Sequence, residues 1–423
     1  MRKFITESLI FRSTIFFQPN GDNLHVKGAF KVDGGMPDTK NGPVICAARR
    51  TPHGLFGGSI ASLTAPTWAS YALKACANDV GDSPVSSVIL GCVLSAGLGQ
   101  APARQALISA GLSTHTDAMH INKVCGSGMA AVIAACHQLG SQPDQLILAG
   151  GMESMSGAPS LINDRFGYRF GHQVAQDHLL YDGLEDRYEG PRSMGCLAER
   201  MAEKQGIGRD VQDTYALQGA KRALAAQKEG LFDAEMTPVS LNGVTLDSDE
   251  TLSRLRPEKI SSLKPAFKEG GTITAATSSA LADGAAALAL TSSSYAAQND
   301  ISPLARVARW SSFSGRPDEF ILAPIEAAKR LLKDLSWDMT DVDVWEVNEA
   351  FAVVPLAFGQ ALNIPQERMN VCGGALALGH PLGASGARIL VTLVHTMVRE
   401  GLKRGVAAIC IGGGEGLAVA IER

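Results

Sequence analysis

Short apolar runs alternate with longer stretches whose apolar residues recur every three or four positions, from Pro43 to the C-terminus. Strands give the first pattern and amphipathic helices the second, so the alternation predicts α/β architecture. Strands are predicted over 44–48, 85–94 and 145–149, and helices over 65–77, 128–139 and 210–227. Residues 156–195 break the rhythm with aromatics and charges and read as the start of an inserted subdomain. The stretch 272–290 reads as two strands joined by a turn at Asp283-Gly284.

Beyond it the pattern predicts a helix over 324–335, a strand over 342–346, a helix over 351–362 and a loop over 373–380. A helix over 385–399 and strands over 406–411 and 417–421 complete the chain. The two ends share a plan: a glycine-rich loop, 124–128 and then 373–386, opens a helix of small residues, and a strand ending in glycines follows. That plan predicts an internal duplication, although residue identity between the ends is low.

At 423 residues the chain exceeds what one core serves. A net charge of -4 supplies no chain-wide positive field for wrapping nucleic acid or lying on an anionic membrane, although a ligand with several phosphates would need a local basic patch. No apolar run reaches the roughly 18 residues that span a bilayer. The eight cysteines form no Cys-x-x-Cys pair and no zinc spacing, which disfavours a structural metal and fits a reducing compartment. Residues 1–42 read as an N-terminal extension outside the fold, with Met36 a candidate start. The expected location is cytoplasmic, with a mitochondrial or other organelle matrix as the alternative if 1–35 act as a basic, amphipathic transit peptide.

Four fragments carry candidate chemistry. Cys125, in Asn122-Lys123-Val124-Cys125-Gly126-Ser127-Gly128, lies at a strand-to-helix junction. Unpaired N–H groups at a helix start can lower a thiol pKa and hold an oxyanion. A buried small hydrophobe is the alternative reading. His380, framed by glycines ahead of a helix, is a candidate base for that thiol or a packing histidine. Cys410, ahead of Gly412-Gly413-Gly414, is a second thiol or a core cysteine. Asn348, in Asn348-Glu349-Ala350-Phe351-Ala352, could orient water or cap a helix.

Taken together, and with Arg50-Thr51-Pro52 through Phe56-Gly57-Gly58, Gly150-Gly151-Met152-Glu153-Ser154-Met155-Ser156 and Ala282-Asp283-Gly284-Ala285-Ala286-Ala287, these fragments resemble the thiolase family from about Pro43 onward. The resemblance implies two similar βαβαβαββ halves in a five-layered αβαβα core with an inserted loop domain. On that plan residues 43–154 with 282–300 form the first half, 155–281 a loop domain for coenzyme A, and 301–423 the second half. It further implies acyl transfer between coenzyme A thioesters, with coenzyme A and acyl-CoA as substrates, no permanently bound cofactor, and a homodimer or homotetramer.

Position by position, Cys125 matches the acylated nucleophile, His380 its base and Cys410 the second acid/base. Asn348 matches the holder of a water that forms one oxyanion hole with His380, and the N–H groups of Cys125 and Gly412 match the other. Ser279 matches a serine near the pantetheine. Ser193-Met194-Gly195 stands where acetoacetyl-CoA enzymes have His-Met-Gly, so Ser193, Met194 and Met155 are expected to shape the acyl pocket. A decarboxylating ketoacyl synthase is the nearest rival, disfavoured by the Cys410 motif. A silent acyl-CoA-binding subunit would have no chemical need for all three reactive residues.

Overall fold

A computed structural model describes residues 41–167 and 170–423. Residues 1–40, which include nearly all of the expected extension, lie outside the described residues. The first half runs β1 (Pro43–Arg50), α1 (Ala65–Asp79), β2 (Val85–Gly91), α2 (Pro102–Ser109), β3 (Asp117–Ile121), α3 (Ser127–Ser141) and β4 (Leu146–Ser154). The excursion that follows includes α4 (Met194–Lys204) and α5 (Arg209–Lys228), and the chain returns to the sheet as β5 (Ala282–Ser292). The second half runs β6 (Ala305–Ser314), α6 (Ala323–Leu335), β7 (Val344–Val347), α7 (Val353–Leu362), α8 (Leu382–Glu400), β8 (Arg404–Ile411) and β9 (Glu415–Glu422).

The main strands lie in the order β7-β8-β9-β6-β1-β5-β4-β2-β3, so the halves meet edge to edge where β6 pairs with β1. Within each half the order repeats: β2-β4-β5-β1 corresponds to β7-β8-β9-β6, with the first pair parallel and the others antiparallel. The counterpart of β3 shrinks in the second half to one parallel bridge, Trp345 to Met369.

Three apolar clusters separate five layers. Trp68, Leu73 and Cys76 of α1 cover one face of the first sheet through Val88, Leu90 and Leu148. Its other face, through Ile89, Ile147 and Leu290, meets Met129 and Val132 of α3 and Ile389 and Leu393 of α8. The same cluster includes Ile409, Val419 and Ile421 from the second sheet. The outer face of that sheet, through Ala408 and Ala420, packs on α6 and α7. Close approach to the middle layer requires glycine: a Cβ on Gly151 of β4 would stand 1.9 Å from the Gly383 carbonyl oxygen at the start of α8, and one on Gly128 at the start of α3 would stand 2.9 Å from the same oxygen. The helices α3 and α8 thus start side by side.

The expected turn at Asp283-Gly284 is not there. Both residues lie inside β5, paired with Ser154 and Glu153. The Asp283 carboxylate accepts from Ser156 N at 2.9 Å, and Gly284 makes room for His53, whose Cδ2 would be 2.7 Å from a Cβ. Residues 272–281 are loop, and the strand at 145–149 continues through its glycines to Ser154.

The excursion is strapped to the first half by charge. Arg50 donates to Glu235 at 2.5 Å and through both terminal nitrogens to Asp249 at 2.7 and 2.9 Å, with all three buried. Losing Arg50 would leave both carboxylates buried without a counter-charge, at a cost of about 3–5 kcal/mol. Asp249 also accepts from His53 N, and His53 Nδ1 bonds to the Leu378 carbonyl, two residues before His380. No helix among the described residues is long and apolar enough to cross a membrane.

Candidate active site

Cys125 lies in the link between β3 and α3, two residues before the helix, and the chain turns there through an uncommon conformation: Val124 has φ +46°. A β-branched residue in the left-handed region is strained and persists only where its surroundings fix it. Asn122 Oδ1 accepts from Val124 N at 3.0 Å, while Ser127 Oγ donates to the Val124 carbonyl at 2.6 Å and accepts from Lys123 N at 2.8 Å. The thiol is half-buried against a cluster of Val93, Leu94, Met155, Leu179 and Leu382.

Burial pushes the Cys125 thiol up to about 12, against the downward pull of the backbone N–H groups of Gly412 and of Cys125 itself. A helix start alone would draw the thiol down, so here burial outweighs it and Cys125 is neutral at rest. Gly412 belongs to the turn between β8 and β9 in the second half, so a donor from each half points at one sulfur.

His380 follows the short helix Ala375–Leu378 and Gly379, whose φ of +91° only glycine adopts readily. The ring is buried, and its backbone N–H donates to the Ala280 carbonyl at 2.9 Å. Nδ1 lies 2.6 Å from Ser385 Oγ, which itself donates to the Pro381 carbonyl at 2.8 Å. The serine proton is thereby committed, so Nδ1 carries hydrogen and donates, leaving Nε2 as the bare nitrogen. Nε2 is buried with no partner among the described residues. Burial, then the nearby Arg388 and His53, lower the ring to about 3, which keeps the imidazole neutral. Leu382, two residues on, packs in the cluster around Cys125.

Cys410 is buried at the end of β8, and burial with the neighbouring Cys125 raises its thiol well above the ordinary range. Asn348 does not cap a helix. Its backbone N–H donates to the Ala408 carbonyl at 2.9 Å, and both side-chain amide atoms are buried without a partner among the described residues. An amide so placed is suited to a water or a substrate oxygen.

Ser279, half-buried, donates its N–H to the Ala350 carbonyl at 3.0 Å and so lies along the Asn348 loop. Met194 opens α4 and reaches the Gly412 turn, with its sulfur 3.9 Å from where a Gly412 Cβ would stand. Met155 is buried in the Cys125 cluster, and its sulfur accepts from Ala282 N at 3.4 Å. Ser193 caps α4: its hydroxyl accepts from Cys196 N at 3.3 Å and lies 3.3 Å from Cys196 Sγ.

Two further carboxylates, whose roles the local sequence does not reveal, organise the site. Glu153, buried in β4, accepts from the N–H groups of Val93, Leu94 and Gly383 at 3.1, 3.0 and 2.7 Å, joining the loop beyond β2 to the start of α8. Burial raises it to about 7 despite those donors. Glu349, beside Asn348, accepts from Tyr215, Asn370 and Leu376 N at 2.6, 2.7 and 3.1 Å, and so orients the loop that leads to His380. A lone carboxylate inside an otherwise apolar motif was the available signal for each.

The thiolase N-terminal domain model matches residues 43–294, and the thiolase C-terminal domain model matches 301–423. The chain belongs to the thiolase family. An acetyl-CoA acetyltransferase of Cupriavidus necator is 43% identical over 389 residues, covering 90% of this thiolase and 99% of that protein. A probable acetyl-CoA acyltransferase of Staphylococcus aureus is 41% identical, covering 90% and 98%. A crystal structure of a thiolase from Ascaris suum in complex with coenzyme A aligns with TM-score 0.85 at 41% identity, covering 90% of this chain and all of that one. Human mitochondrial 3-ketoacyl-CoA thiolase in complex with CoA aligns with TM-score 0.86 at 37% identity, covering 90% and 98%. The five layers and paired halves are therefore those of a thiolase.

Proposed function

We propose that this thiolase exchanges acyl groups between coenzyme A thioesters through an acyl group on Cys125, converting 3-ketoacyl-CoA and CoA into acyl-CoA and acetyl-CoA or the reverse. The observation that carries this reading is the meeting of Gly412 N–H, Cys125 N–H and the Cys125 sulfur, with Cys410 beside them. In the first step Cys125 Sγ attacks the thioester carbonyl as its proton passes to His380 Nε2. The Cys125 and Gly412 N–H groups hold the oxyanion, and the departing CoA thiolate takes the proton back. One thioester replaces another, so no large driving force is required.

In condensation the Cys410 thiol first passes its proton to His380 Nε2; the thiolate then removes a proton alpha to the carbonyl of a second acetyl-CoA, and the Asn348 amide, through a water, and the His380 imidazolium stabilise the enolate oxygen. The enolate carbon then attacks the Cys125 acyl carbonyl: a carbon–carbon bond forms, the carbon–sulfur bond breaks, and the Cys125 thiolate that leaves takes its proton from the His380 imidazolium, while Cys410 keeps the alpha proton as its thiol. Thiolysis is the same path reversed. Ser279 lies along the pantetheine. Exposed Arg254 and Arg256, in the 155–281 excursion, supply the local positive charge that the phosphates of coenzyme A need on an acidic chain. The outer edge of β3, with Met119 about half exposed, supports assembly as a homodimer or homotetramer. The cytoplasm is the proposed compartment.

Incubation with acetyl-CoA followed by digestion is expected to place an acetyl group on the Cys125 peptide. Acetyl on Cys410 with Cys125 unmodified would sink the assignment.

Acetoacetyl-CoA is the proposed short substrate, and the pocket is proposed to admit chains of four to six carbons. Serine at 193 removes an imidazole from the wall and turns its hydroxyl to capping α4. Each methylene buried there contributes roughly 0.8 kcal/mol. Comparable kcat/KM values for acetoacetyl-CoA and 3-ketohexanoyl-CoA are expected. A six-carbon substrate slower by about two orders of magnitude would instead mean that Met194 or Met155 fills the space.

A further inference from the structure

The proposed oxyanion hole is assembled from two segments that belong to different halves: the 122–127 turn ahead of α3 and the 411–416 turn between β8 and β9. Their two N–H groups are useful only in register, and a misplacement of about 1 Å can cost on the order of a hundredfold in rate. We infer that the ion pair between Lys123 and Glu415 is a positioning device that holds the Cys125 and Gly412 N–H groups on one oxygen. This rests on Cys125 being the acyl carrier and goes beyond that role to what sets its geometry.

Lys123 Nζ lies 2.5 Å from Glu415 Oε2, with the two side chains 30% and 33% exposed. The other Glu415 oxygen accepts from Ser314 Oγ at 2.9 Å, so the carboxylate is fixed to β6 before it reaches the lysine. Glu415 also opens β9, paired with Ile411 on one side and Ser314 on the other. Its backbone is therefore the rigid end of the tether.

Lys123 is the other end, and its turn is the one that needs holding. Val124, next in sequence, is the strained residue with φ +46°. Ser127 and Asn122 restrain it from within its own turn, whereas Lys123 ties the turn to the opposite half. Packing brings the segments together without fixing their register: a Cβ on Gly126 would stand 2.4 Å from Ile411 Cδ1, and one on Gly412 would stand 3.7 Å from Val124 Cγ1. Apolar contact of this kind is non-directional, and a charged hydrogen bond is not. Without the pair, Val124 gains freedom to relax toward negative φ, which rotates the following peptide and swings the Cys125 N–H away from the Gly412 N–H.

A half-exposed ion pair contributes at most about 1 kcal/mol to stability, so its loss should appear in the chemistry and not in the melt. The test is the single-turnover rate of Cys125 acetylation by acetyl-CoA in the full chain. It compares the natural protein with Lys123→Met, the isosteric Glu415→Gln, the charge-keeping Lys123→Arg, and the swap of Lys123→Glu with Glu415→Lys.

Each charge-removing variant is expected to acetylate about tenfold more slowly. The acetyl-CoA concentration for half-maximal rate should stay within about twofold, and melting within a few degrees. Lys123→Arg and the swap should recover most of the rate. Alkylation of Cys125 by iodoacetamide develops no oxyanion, so it should keep its pH profile in every variant.

Charge-removing variants that acetylate at the natural rate would overturn the inference. So would a folded swap as slow as the single variants, because the lysine would then be acting alone. A shifted alkylation profile would also overturn it, by showing that Lys123 acts on the thiol through its charge. If the natural protein takes no acetyl group on Cys125, the acyl-carrier assignment itself fails and this inference falls with it.

Discussion

His380→Gln is expected to acetylate Cys125 about a hundred- to ten-thousandfold more slowly than the natural protein, the range that a positioned general base contributes. The magnitude follows from the state of the pair. Burial raises Cys125 to about 12 and lowers His380 to about 3, so at neutral pH the site contains a thiol and a neutral imidazole, not a thiolate and an imidazolium. Acylation must then move the proton as sulfur attacks, and glutamine offers no basic nitrogen to receive it.

The same reading fixes a pH dependence. A base with its pKa near 3 is already deprotonated throughout pH 5–8, so acetylation should show no acid limb near the ordinary histidine value of about 6.5. Alkylation of Cys125 by iodoacetamide should keep rising to pH 9, because the thiolate fraction grows all the way to about 12. A plateau in alkylation between pH 6 and 8 would establish a resting ion pair and refute the neutral one. Tight binding with slow acylation is expected of the variant, measured by rapid-quench mass analysis.

Cys410→Ser is expected to separate the two halves of the reaction. Acetyl transfer to Cys125 should remain within a few fold of the natural rate, whereas condensation and thiolysis should fall by about a hundred- to ten-thousandfold. Serine nearly preserves shape, but a hydroxyl is a far weaker acid than a thiol and does not exchange a proton with carbon near neutral pH. Isotope exchange between labelled CoA and acetyl-CoA reads the first half, and loss of the 3-ketoacyl absorbance reads the second. Equal and complete loss of both would mean that Cys410 serves the packing of β8 and not the proton.

Which parts of this were legible in the sequence follows from where the information lies. The turn at Cys125, the loop at His380 and the glycines after Cys410 are local, and each sits at the start of a helix or the end of a strand that its own residues specify. The strand β3 is different: none of its five residues is buried and its identity depends on pairing with β2, so local pattern could not reveal it. Asp283-Gly284 failed for the converse reason. The dipeptide is a strong turn signal locally, but here glycine is required by His53 from a distant segment and aspartate by Ser156.

The role of Glu153 is not legible in its own motif, because its three donors come from residues about sixty positions before it and 230 after it. The neutral state of the thiol was likewise hidden. A helix start is visible in sequence, whereas the burial that outweighs it is contributed by Leu179 and Leu382 from elsewhere.

The middle layer governs how such a molecule is made. The helix α8 belongs to the second half, yet it packs on α3, β4 and β5 of the first as well as on β7 and β8 of its own. Met129, Val132, Ile147 and Leu290 cover one another in part, and are fully covered only when residues near position 390 arrive. On the ribosome the first half must wait with the part of its sheet and of α3 that α8 covers open to water, at roughly 1.5–3 kcal/mol for each large side chain left exposed. That interval is when the nascent chain is most prone to aggregate. Synthesis slowed before α8, or a chain ending short of Leu382, should accordingly yield chaperone-bound or insoluble protein and not a stable first half.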